Sequence, residues 1–147
     1  MLIGIDPLLS PDLLRSLRAM GHGDEIAIVD ANFPAAACAA RLVRLDGADA
    51  PRVLGAVLGV MPLDTFVPDP AKTMQVVDDS PAVPPVVARF QSIIYEVADH
   101  PAPIVSVERF AFYERAGKAF VIVQTGERQF YGNIILTKGV VRPPAAS

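Results

Sequence analysis

The 147-residue chain alternates short apolar runs with segments that carry helix start and stop signals, and this alternation constrains its fold most. Ser10-Pro11-Asp12 opens a helix, with Ser10 as N-cap, proline at the first helical position and a carboxylate in the first turn. Leu14, Leu17 and Met20 follow at helical spacing beside Leu13, and Gly21 is a natural stop. Glu25–Val29 reads as a short buried strand, and residues 41–45 as a second. Asp49-Ala50-Pro51 starts another helix, in which Val53, Leu54, Val57, Leu58 and Met61 share an apolar face and Pro62 ends the run. Residues 74–77 form a candidate strand. The next helix runs from about Pro85 to Val97, with Val86, Phe90, Ile93, Ile94 and Val97 inward. Residues 104–107 are strand-like, 110–116 a short helix, 119–124 the clearest β segment, and Ile134–Thr137 the last strand. The order predicts one α/β domain over residues 1–147, with a mainly parallel sheet flanked by helices.

Composition narrows the partners. Hydrophobic residues make up 52% and charged residues 20%, as in a globular rather than a disordered chain. Mean hydropathy of +0.38 is high for a small domain, so part of the apolar content is expected between subunits. No run approaches the ~20 apolar residues that span a bilayer. The basic stretch and hydrophobic core of a signal peptide are also missing, so the default expectation is a cytoplasmic protein without a membrane partner. Net charge is -3 and the basic residues are scattered, which argues against nucleic acid. Cys38, the single cysteine, lies in a run of alanines and reads as a buried small hydrophobe. It and the two histidines lack zinc spacing, so no protein-held metal is expected.

A set of polar residues stands out against this background. His22 sits between glycines in Gly21-His22-Gly23-Asp24, and histidine is the side chain whose ordinary pKa lies nearest neutrality. It reads either as a general acid or as a cationic cap on the preceding helix. Asp24 and Glu25 read as solvated loop charges. Asp30 ends an apolar strand, where a bare charge is costly unless bonded; the alternative is an N-cap for the segment after Pro34. In Arg109-Phe110-Ala111-Phe112-Tyr113, either Phe110 or Arg109 shares a helical face with Tyr113; on these residues alone the segment reads as an amphipathic surface helix whose aromatics are core. Tyr131-Gly132-Asn133 offers a phenol, a close-approach glycine and an amide that both donates and accepts, a set suited to sugar hydroxyls or simply to a turn. Thr125-Gly126-Glu127-Arg128 lacks the further glycines and lysine of a phosphate loop. Open α/β sheets bind ligands beyond the carboxyl ends of their strands. Asp30 satisfies that rule and His22, which precedes its strand, does not. Either the His22 loop folds back or a neighbouring subunit completes the site.

These blocks, in this order, resemble the fucose mutarotase and ribose pyranase family, and its fucose mutarotase branch in particular. The resemblance runs from Leu8-Leu9-Ser10-Pro11-Asp12 to Lys138-Gly139-Val140. It is carried by Met20-Gly21-His22-Gly23-Asp24-Glu25, Asp30-Ala31-Asn32-Phe33-Pro34, Pro62-Leu63-Asp64-Thr65-Phe66, Arg109 to Ala116, and Thr125-Gly126-Glu127-Arg128 followed by Tyr131-Gly132-Asn133. It implies a cofactor-free isomerase that interconverts the α and β anomers of a free monosaccharide, L-fucose first. The ribose branch also exchanges pyranose and furanose forms. By the same resemblance, His22 and Tyr113 are the catalytic pair and Asp30, Asp64, Arg109, Tyr131 and Asn133 contact the sugar. Arg109 stands where the ribose branch carries histidine. Small subunits of this family form homo-oligomeric rings, in some members stacked into decamers. Phe66 stands where the family often has tyrosine, and Pro68-Asp69-Pro70 stiffens that loop. A non-catalytic sugar-binding or transport-accessory protein, or a ribose pyranase-type activity, is the competing expectation.

Overall fold

Helix starts in the computed structural model, which describes residues 1–146, follow the capping signals. Helix α1 spans Pro11–Ala19, with the Ser10 hydroxyl accepting from the Leu13 N–H. Helix α3 spans Ala50–Leu58, with the Asp49 carboxylate accepting from the Arg52 N–H. Each cap satisfies an N–H that the helix itself leaves orphaned, typically for about 1 kcal/mol. Helices α2 (Ala35–Cys38), α4 (Pro85–Val97) and α5 (Arg109–Lys118) complete the set. The strands are β1 (Glu25–Val29), β2 (Leu42–Leu45), β3 (Ala71–Met74), β4 (Val105–Val107), β5 (Val121–Thr125) and β6 (Ile134–Thr137).

The six strands form one sheet in the order β2-β5-β1-β6-β3-β4. Pairings β1–β5, β2–β5 and β3–β4 are parallel, whereas β6 runs antiparallel to both β1 and β3. The sheet is therefore mixed, with its one reversed strand near the centre. Side-chain alternation sorts the strands onto two faces. Ile26, Ile28, Val121, Val123, Ile134 and Leu136 pack with α1, α3 and α4 on one side. Ala27, Val29, Ile122 and Ile135 pack with α2 and with Phe112 and Ala116 of α5 on the other. Covered on both faces, the central strands read as unbroken apolar runs. Each fully buried aliphatic or Phe side chain contributes about 1.5–3 kcal/mol.

Three sequence expectations need correction. The third strand is Ala71–Met74, not 74–77, because Asp78 adopts a left-handed φ of 62° and residues 76–79 turn back on themselves. Its pattern was masked by Lys72, which is 1% exposed. The Lys72 ammonium donates to the Asp69 carbonyl at 2.6 Å and lies 3.4 Å from Glu25. Glu25 is thus no solvated loop charge: it also pairs with Arg115 at 2.8 Å and accepts from Thr137 Oγ1 at 3.2 Å. Cys38 is only half-buried, at the end of the four-residue α2, rather than a core thiol. Among the described residues no helix is long and apolar enough to cross a membrane.

Segment 125–127 passes so close to the loop before α3 that the Gly126 N–H donates to the Ala48 carbonyl at 2.7 Å. A Cβ at Gly126 would overlap the Asp46 carbonyl oxygen, while one at Gly47 would meet open space. Gly126→Ala is therefore expected to destabilise by at least the about 1–3 kcal/mol typical of overpacking. Gly47→Ala is expected to be near neutral, and urea denaturation of the two variants checks the contrast.

Candidate functional site

Asp30 follows the last residue of β1, and Asn133 precedes the first residue of β6. Because the two strands are antiparallel neighbours, both residues emerge at the same sheet end and meet. The Asp30 N–H donates to Asn133 Oδ1 at 2.8 Å, and Asn133 Nδ2 donates to Asp30 Oδ2 at 3.1 Å. Asp30 Oδ1 accepts from the Asn32 N–H at 2.9 Å. That bond excludes the helix-cap alternative, since α2 starts from Pro34 with no side-chain cap. Asp30 is 5% exposed; burial pushes its carboxyl above the ordinary range, against the bonds from Asn32, Asn133 and Phe33, and the nearby Glu127 charge adds to the rise.

Around this floor stands a cavity of about 270 Å³, lined by Asp30, Asn32, Phe33, Met74, Val77, Arg109, Tyr113, Phe130, Tyr131 and Asn133. That is just below the about 300–1,000 Å³ of drug-sized pockets and suits one small polar ligand. Tyr113 is positioned by stacking on Phe33, with ring centroids 5.2 Å apart, while Phe112 points from the same helix into the core. Tyr131 holds a left-handed φ of 64°, unusual for a bulky residue. Its hydroxyl accepts from the Val77 N–H at 3.1 Å, which leaves the phenolic proton free for a ligand. Phe110, which shares the Arg109 helix, is exposed, and the Arg109 guanidinium lies 4.7 Å from its ring.

His22 lies at the other end of the sheet. The Gly23 N–H donates to the Lys138 carbonyl beyond β6, and the Gly21 N–H donates to Asp24 Oδ2 at 2.8 Å, so the His22 turn is held firmly. His22 is no cap on α1: its Nε2 lies 2.9 Å from Asp64 Oδ1, and its ring rests 4.9 Å from that of Phe66. Asp64 is seated there because its N–H donates to the Thr137 carbonyl and its loop crosses Gly139, where a Cβ would come 2.8 Å from the Leu63 oxygen. Burial alone would raise the Asp64 carboxyl; the His22 bond and the Phe66 and Thr65 N–H groups outweigh it and hold the group below its ordinary value.

The expected site residues thus fall into two groups. Asp30, Arg109, Tyr113, Tyr131 and Asn133 share one cavity, whereas His22 and Asp64 share the opposite end. The five residues of β1 separate them, about 16 Å at the usual strand rise. Asp64 contacts the imidazole, not the cavity. Sequence reasoning missed Asn32, Phe33, Met74, Val77 and Phe130 as cavity walls, and for Met74 and Val77, ten or more residues from any candidate, the chain carried no signal. For Asn32, Phe33 and Phe130 the signal available was a position one to three residues from a polar candidate. A larger cavity of about 630 Å³ beside α4, β3 and β4 is lined by no carboxylate, imidazole or guanidinium. Among the described residues no three His, Cys, Asp or Glu side chains are placed to hold a metal ion.

A profile of the RbsD / FucU transport protein family matches residues 3–141. The chain is 47% identical to the fucose mutarotase of Mus musculus, over 94% of each chain. It is 46% identical to that of Homo sapiens, over 94% of this chain and 93% of the relative. Among solved structures it is similar to the fucose mutarotase in complex with L-fucose from Streptococcus pneumoniae, with TM-score 0.89 and 43% identity over 96% of this chain and 100% of the other.

Replacing His22 by alanine removes the strongest of the groups that lower Asp64, while its burial and the Phe66 and Thr65 N–H bonds stay. The Asp64 carboxyl is therefore expected to titrate at higher pH in His22→Ala than in the wild type, as read from its side-chain carbon by NMR. In linkage terms, the stability that the lowered Asp64 contributes is present above its unfolded pKa and lost as pH falls through the folded one. His22→Ala should lose the His22 share of that contribution.

Proposed function

The chain belongs to the RbsD / FucU family, and from that premise we propose that it is an isomerase interconverting the α and β anomers of L-fucose. The observation that carries this reading is the meeting of Asp30, Asn133, Tyr131, Tyr113 and Arg109 in one monosaccharide-sized cavity.

Anomer exchange asks only for proton transfers. A base takes the proton of the anomeric hydroxyl while an acid protonates the ring oxygen; the ring opens, the aldehyde rotates, and closure gives the other anomer. General acid and base groups typically supply ~10²–10⁴-fold each. His22 and Tyr113 exchange those protons. Asp64 accepts from His22 Nε2, which leaves Nδ1 as the nitrogen facing the sugar. Asp30 accepts from a sugar hydroxyl, and Arg109, Tyr131 and Asn133 fix the ring.

Within one subunit His22 stands too far from Asp30 for this, so the His22 end of one subunit meets the Asp30 end of the next. Such a contact is head-to-tail, and a head-to-tail contact that closes makes a ring. We therefore assign the protein a homo-oligomeric ring, stacked as a decamer, working in the cytoplasm. The apolar side chains exposed near both halves, Phe66 and Phe130, support contact there.

Exchange NMR of L-fucose anomers tests both claims. His22→Ala is expected to fold and to lose most of the acceleration, about 10²-fold or more; an unchanged rate rejects its role. His22→Ala and Asp30→Asn subunits, dissociated and reassembled together at equal amounts, should recover activity in about a quarter of the sites, since random neighbours rebuild that share of intact interfaces. No recovery would place the whole site within one subunit.

A further inference from the structure

Glu127 is 4% exposed, yet it belongs to neither half of the site described above. Its carboxylate is divided between two backbone donors: Oε2 accepts from the Ala50 N–H, the first residue of α3, at 3.2 Å, and Oε1 accepts from the Gln129 N–H at 2.9 Å. Its own N–H donates to Thr125 Oγ1 at 3.1 Å, and its carbonyl accepts from the Ala31 N–H at 2.9 Å. One residue therefore ties together the end of β5, the start of α3, the loop after Asp30 and the turn that carries Tyr131 and Asn133. Gly132 is wedged against it: a Cβ there would stand 2.6 Å from Glu127 Cγ and 3.6 Å from Asp30 Cβ. The turn thus lies pressed between two buried carboxyls.

We infer that Glu127 is a positioning residue of the sugar site, clamping the Tyr131-Gly132-Asn133 turn so that Asn133 reaches Asp30 and both present their free lone pairs and protons to one ligand. It acts through other groups and touches no substrate. The inference rests on the sugar-binding reading of the cavity. Its electrostatic consequence follows from the same closeness. The charged groups facing Asp30 are Glu127 from its own side of the turn, and Arg109, with the phenols Tyr113 and Tyr131, across the cavity. Glu127 is the negative one among them, and it makes ionisation of Asp30 harder.

Glu127→Gln keeps the size of the side chain but removes the charge and one of its two acceptor oxygens. It is expected to raise the L-fucose half-saturation concentration about tenfold with the saturated exchange rate changed about twofold or less, the pattern of lost uniform binding. It should also move the acid limb of the pH profile to lower pH, since Asp30 ionises more easily without its neighbour. Glu127→Asp, which keeps the charge on a shorter arm, should raise the half-saturation concentration while leaving the acid limb in place. A cap that merely stabilised α3 would leave the half-saturation concentration unmoved in both variants. An unmoved limb in Glu127→Gln, or a shifted one in Glu127→Asp, overturns the inference. The Asp30 side-chain carbon, titrated by NMR without sugar, separates this from the activity itself. A wild type that never speeds anomer exchange sinks the mutarotase reading. An Asp30 midpoint that does not fall in Glu127→Gln sinks the role of Glu127 alone.

Discussion

The reversed strand β6, inserted between β1 and β3, is the constraint on which the site depends. An all-parallel sheet would bring residue 133 to the opposite end from residue 30, because each strand would enter where its neighbour enters. With β6 antiparallel, the residue before it and the residue after β1 emerge together. The backbone of Asp30 can then donate to the Asn133 side chain while that side chain donates back. The pair closes on itself, so two buried polar groups satisfy each other and still keep capacity for a ligand. The same reversal carries Thr137 and Lys138 to the other end, where their carbonyls seat Asp64 and Gly23. One strand direction thus builds both halves.

The two buried aspartates show how position sets chemistry. Asp64 is held below its ordinary value because an imidazole and two backbone N–H groups favour its charge more than burial opposes it. Asp30 also receives bonds from N–H groups, yet burial dominates and a second carboxylate lies near, so its charged form is the costly one. A carboxylate kept firmly ionised suits orientation of a ring nitrogen. One poised above the usual range responds to a ligand that supplies hydroxyl protons. Divergent environments of this kind separate roles among chemically identical groups.

Much of the domain was legible from the chain. Proline and carboxylate signals at Ser10-Pro11-Asp12 and Asp49-Ala50-Pro51 marked helix starts because capping is local and needs no partner from elsewhere. The central strands Glu25–Val29 and Ile134–Thr137 were found from unbroken apolar runs. The strand around Lys72 was misplaced because its buried charge is neutralised by Glu25 and Asp69, the former 47 residues away in sequence. No periodicity reports such a partner. Glu25 was misread for the same reason.

The polar residues of the candidate site were visible as an inventory, since each stands out against apolar neighbours or between glycines. Their division was not. Spacing along a chain says nothing about which sheet end a loop occupies once a strand reverses, and strand direction is settled by how neighbouring edges pair. Residue type and local capping therefore determined the elements and most of the chemically capable side chains. Tertiary pairing alone decided that His22 faces Asp64, that Asp30 faces Asn133, and that a whole strand length lies between them, because strand ladders bring together side chains 42 and 103 residues apart in sequence.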